Sequence, residues 1–64
     1  MVKINSLPVD AHGLSVRVYL DTAGYKVDCV AVEINGNIIP KSKYETTQIT
    51  DGDEIEIVHF VGGG

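Results

Sequence analysis

Gly62, Gly63 and Gly64 follow a strand-like run, Glu54 to Val58, with only His59, Phe60 and Val61 between. Glycine has no Cβ, so a glycine run reaches backbone conformations closed to other residues and passes through narrow spaces. It adds no packing of its own. A core strand continued by bare glycine predicts a rigid base carrying a slender arm, with the α-carboxylate of Gly64 at its tip. The division expected is a folded domain over 1–61 and a flexible tail over 62–64. A loose chain end or a cloning remnant would look the same, since termini are often poorly ordered.

The other reactive side chains make weaker sets. His12, His59 and Cys29 match no metal-ligand spacing, so no metal site is expected. Cys29 reads as a small hydrophobe in a strand, and the sequence shows no neighbouring cation to lower its thiol pKa. Ser15 has no base at a recognisable distance and is better explained as a helix cap. Asp51, Asp53, Glu54 and Glu56 cluster at a turn, where solvated carboxylates are ordinary. The glycines are not a phosphate-cradling loop, because no strand-to-helix context surrounds them. No catalytic residue is expected.

The last strand carries more. Strand side chains alternate between faces. If Ile55 and Ile57 point inward, Glu54, Glu56, Val58 and Phe60 point outward. The outward set changes from charged to apolar as it nears the glycines. Val58 and Phe60, with Ala31 on an adjoining strand, would make an exposed apolar patch, and such patches mark interaction sites. A docking patch just before a thin arm suggests a partner enzyme that grips the domain and receives the arm.

The elements that must position these residues can be read in order. Sixty-four residues make one domain with a compact core. Val2 and Ile4 alternate with Lys3, and Leu7, Val9 and Ala11 share a face after Asn5-Ser6, which predicts a hairpin. Pro8 cannot donate to a ladder, so this second strand belongs at an edge. Ser15 caps a helix whose inward stripe is Val16, Tyr19, Leu20 and Ala23, with Gly24 as its left-handed terminator. Cys29 to Asn35 reads as a strand, and Asn35-Gly36 is a strong signal for a tight hairpin turn. Ile38-Ile39 returns as a short strand ended by Pro40. Tyr44 is the one large apolar anchor from Lys41 to Thr47, and a turn at Thr50–Asp53 leads into the final strand. The order is that of an α+β fold, with four or five strands packed on one main helix. The expected core is Ile4, Leu20, Val30, Val32, Ile34, Ile49, Ile55 and Ile57.

The formal net charge of −4 argues against nucleic acid and favours a basic partner. No apolar run approaches the length of a membrane span, and no signal peptide is visible. The single Cys leaves no internal disulfide, which suits a reducing cytoplasm.

The blocks from Val30 to Gly36, from Ile38 to Pro40, from Asp51 to Val58 and from Val61 to Gly64 together resemble the ThiS family of bacterial sulfur carriers in thiamin biosynthesis. The likeness covers the whole chain and is strongest from Val30 onward. It is weaker from Leu7 to Tyr25, where relatives commonly carry a Leu-rich acidic helix. Lys41 and Tyr44 stand where relatives have Arg and Trp. The resemblance implies a ubiquitin-like β-grasp fold and a protein co-substrate rather than an enzyme. It implies that the Gly64 carboxylate is adenylated by a ThiF-type adenylyltransferase using ATP and then becomes a thiocarboxylate. That group would donate sulfur to thiazole formation on thiazole synthase, ThiG. No cofactor would be bound by the carrier itself. Alternatives are a carrier like the small subunit of molybdopterin synthase, ubiquitin-like conjugation to a lysine, and a binding module whose tail is never activated.

Overall fold

The structure is a computed structural model that describes residues 1–60. Val61, Gly62, Gly63 and Gly64 lie outside the described residues. Five strands form one sheet: β1 (Val2–Ile4), β2 (Leu7–Val9), β3 (Val30–Ile34), β4 (Asn37–Ile39) and β5 (Glu54–His59). Their spatial order is β2-β1-β5-β3-β4. The sheet is mixed, since β1 and β5 run parallel while the other neighbours are antiparallel. A parallel pair needs a crossover, and the chain from Asp10 to Gly52, which carries helix α1 (Val16–Ala23) and the β3–β4 hairpin, supplies it.

Both hairpin turns place two consecutive residues at positive φ, as a two-residue type I′ turn requires. Asn35 and Gly36 have φ of 53° and 84°. Asn5 and Ser6 have φ of 52° and 71°, so here a serine occupies the position that glycine fills in the other hairpin. Helix α1 begins where the sequence predicts. The Ser15 Oγ accepts the Val18 N–H at 3.1 Å, and the chain leaves through Gly24 in the left-handed conformation. Two of the helix's first N–H groups find partners in the 41–49 loop: Val16 donates to the Thr47 carbonyl and Arg17 to that of Tyr44. Tyr44, only 3% exposed, roots that loop in the core.

Every expected core residue is buried, joined by Val2, Ala11, Val16 and Tyr44. Two expectations need correction, for Ala23 and Cys29, and one residue outside the expected core is notable. Leu7 is 66% exposed, although it lies opposite buried Ile4. Strand β2 is an edge, as Pro8 requires, and has a neighbour on one side only. Ala23, in the helix's last turn, is exposed, and the stripe is continued past the helix by half-buried Tyr25 and Val27. Cys29 is not in the strand proper. It closes a short 3-10 turn, Val27–Cys29, that delivers the chain to β3.

Candidate functional site

Strand β5, which leads to the glycines, is the centre of the sheet. It is hydrogen-bonded to β1 on one side and β3 on the other. Two asparagine side chains reinforce it. Asn5 exchanges a pair of bonds with the Ile57 backbone, accepting its N–H at 2.8 Å and donating to its carbonyl at 3.2 Å. Asn35 accepts the Glu54 N–H at 3.0 Å and donates to Asp53 at 3.0 Å. The first residue of each hairpin turn thus docks on the strand that bears the tail. Sequence reasoning assigned these asparagines to turns and missed this second role. Their bonds span 52 and 19 positions, and no local pattern signals them.

The start of β5 is held by Asp53, whose carboxylate accepts from the Thr50 N–H at 2.9 Å and the Thr50 hydroxyl at 3.0 Å. Partial burial pushes this carboxyl up, but hydrogen bonds from the Thr50 backbone, Asn35 and the Thr50 hydroxyl outweigh it, and its pKa is lowered. At the far end the Phe60 N–H donates to the Cys29 carbonyl at 3.0 Å. His59 faces the helix side and packs on Tyr25, ring centroids 5.2 Å apart, and Tyr25 lies 6.5 Å from Tyr19. Ordered contacts therefore continue to Phe60, the last of the described residues.

The outer face of β5 follows the expected register. Ile55 and Ile57 are buried, while Glu54, Glu56 and Val58 are exposed. Val58 is 56% exposed and Phe60 is 45% exposed. Ala31, also exposed, lies directly opposite Val58. Val58 and Ala31 thus form an exposed apolar pair on the open face, and exposed Phe60 follows two residues further along the chain. Two neighbours were not singled out from sequence. Glu33 lies opposite both Glu56 on β5 and Ile38 on β4, and Ile38 is 72% exposed.

The remaining candidates do not assemble into a site. Among the described residues no group of three or more His, Cys, Asp or Glu side chains gathers as a metal cluster. His12 pairs with its near neighbour Asp10 at 3.1 Å. Cys29 is half-buried at the base of β3. A groove beside the helix contains Arg17, Lys41 and Tyr44, but Arg17 is paired with Asp21 and Lys41 with Asp28. No described helix is long and apolar enough to cross a membrane.

A mixed five-stranded sheet packed on one helix, with its central strand carrying a glycine tail, defines a ubiquitin-like β-grasp protein of the carrier type. The sequence model of the ThiS family matches residues 2–64. The chain belongs to the ThiS family, the sulfur carriers of thiamin biosynthesis. It is 50% identical over 44 residues to the sulfur carrier protein ThiS of Bacillus subtilis, a match covering 66% of this chain and 67% of that one. The crystal structure of the thiamine biosynthesis protein ThiS from Geobacter metallireducens superposes with a TM-score of 0.81 at 30% identity, covering 98% of this chain and 97% of that one. A thiazole synthase of Paramagnetospirillum magneticum is 45% identical over 51 residues. That match takes in 80% of this chain but only 16% of the synthase.

Proposed function

We propose that this chain carries sulfur to thiazole formation as a thiocarboxylate built on Gly64. The match of the ThiS family over residues 2–64, which includes Gly62, Gly63 and Gly64, carries this reading. The chemistry needs two displacements. A carboxylate is a poor electrophile, so an oxygen of the Gly64 carboxylate first attacks the α-phosphate of ATP. A P–O bond forms and pyrophosphate leaves. A sulfur nucleophile at the sulfide level then attacks the acyl carbon, and AMP leaves with the carboxylate oxygen. Neither step uses an acid or base from the carrier. Both belong to a ThiF-type adenylyltransferase, which holds the ATP.

Reach and slenderness are the carrier's contribution. The reacting oxygen must approach phosphorus within about 3–3.5 Å. Water must also be excluded, or the acyl-adenylate hydrolyses before sulfur arrives. A closed, narrow channel meets both demands, and glycine at 62 and 63 leaves room for it. Val58, Phe60 and Ala31 form the docking patch that seats the domain while the tail is inside. The acceptor of the sulfur is a thiazole synthase, a reading supported by the homologous segment within such a synthase. We place the reaction in the cytoplasm, where ATP is available.

The test is intact mass. Incubated with the activating enzyme, ATP and a sulfide source, the chain should gain about 16 Da, one oxygen replaced by sulfur. The gain should be absent when Gly64 is deleted. No gain on the wild-type chain would leave a β-grasp binding module whose tail is not activated.

A further inference from the structure

The outer face of the sheet carries a charge pattern that the tail chemistry does not use. Glu33 and Glu56 are cross-strand partners on the same face of adjacent strands, and Glu54 precedes them on β5. Directly opposed like charges destabilise a sheet. Among the described residues none of these carboxylates makes an ion pair; the ion pairs that do form use Met1, His12, Arg17 and Lys41. Lys3 lies opposite Glu54 on this face without closing a salt bridge to it. The acidic row runs beside the apolar residues Val58, Ala31 and Ile38. The domain therefore keeps two directly opposed carboxylates, neither in an ion pair among the described residues, at the border of its apolar patch, where a glutamine at either position would remove the like-charge pairing.

Building on the carrier reading, we propose that Glu33, Glu54 and Glu56 are the electrostatic half of the docking surface. They select an adenylating enzyme that presents an apolar depression bordered by lysine or arginine side chains. The adenylating enzyme is the occupant that most needs such attraction. Its task brings a carboxylate up to the polyphosphate of ATP, and like charges repel at that approach. An acidic face set against a basic border steers the encounter from outside the channel and leaves the chemical step unchanged.

Binding of the full chain to the adenylating enzyme should be measured directly by titration at low and high salt, and the 16 Da gain followed in parallel. Wild-type affinity should fall steeply as salt rises. The double variant Glu33→Lys/Glu56→Lys should bind at least tenfold more weakly at low salt, and the deficit should shrink near 1 M salt, where screening reaches about 3 Å. Glu45→Lys/Asp10→Lys makes the same change in net charge away from the sheet's outer face and should bind nearly as wild type. Glu56→Gln should raise the melting temperature of the free domain by about 2–5 °C while weakening binding, a combination that misfolding cannot produce.

Salt-independent binding, equal losses from both double variants, or salt dependence confined to a thiazole synthase would each overturn the proposal. Salt-steered binding without the mass gain would instead overturn the carrier reading and leave the acidic docking face standing. A mass gain with no effect of the face variants would do the reverse.

Discussion

Ser6 occupies a conformation that glycine adopts in the other hairpin, φ 71° against 84° at Gly36. Left-handed backbone costs a non-glycine residue roughly 1–2 kcal/mol, offset in part by the greater chain entropy glycine has when unfolded. Ser6→Gly should therefore stabilise the domain by about 0.5–1 kcal/mol, read as a rise in the denaturant midpoint. Asp53 gives a pH dependence. Its folded pKa lies below the ordinary 3.8 because its hydrogen bonds from Thr50 and Asn35 outweigh the effect of burial. A depressed carboxyl stabilises the fold above its unfolded pKa and loses that contribution as pH falls through the folded value. Between about pH 5 and pH 2 the wild type should lose stability more steeply than Asp53→Asn, a difference seen by denaturant titration across that range. At the proposed docking patch, truncating an aromatic anchor buried by a partner removes about 2 kcal/mol or more. Phe60→Ala should weaken binding to the adenylating enzyme by about thirtyfold or more, with the fold intact by circular dichroism.

Among the elements, β5 was the most legible in the sequence. Its period-two alternation places Ile55 and Ile57 inside and Glu54, Glu56 and Val58 outside without reference to any partner strand, and the structure agrees. The helix start was legible for a similar reason, because Ser15 caps through its own third neighbour. What local pattern could not supply was set by position in the sheet. Leu7 alternates correctly with its neighbours yet stays exposed, because β2 is an edge. The clamping of β5 by Asn5 and Asn35 depends on strands far apart in the chain meeting in the middle of the sheet. The site was half legible on the same grounds: the patch residues follow from alternation, whereas Glu33 and Ile38 joined them only through cross-strand register. At this scale Ile55→Ala should cost about 2–5 kcal/mol, since a buried Ile in the central strand leaves a cavity that neighbours on both sides cannot close. Deleting Gly64 should do the opposite to the two readouts. The melting temperature should hold, while adenylation is lost with up to about 3.6 Å of reach.

Met1 and Phe60 lie toward opposite ends of β5 because β1 and β5 are parallel. Lys3 is level with Glu54, so the amino terminus lies beside the beginning of the strand whose other end leads to the tail. From Glu54 to His59 is about 17 Å at 3.4 Å per residue, half the 32 Å long dimension of the domain. Met1 is held there by its carbonyl, which accepts the Gly52 N–H at 3.1 Å, while its amino group makes an exposed ion pair to Asp51, an interaction worth little when broken. A tether can thus be grafted onto the amino terminus without crowding the other pole. Coupled to beads or a sensor surface through that end, the domain would leave the Phe60 end of β5 unobstructed for capture of the enzymes proposed to use it.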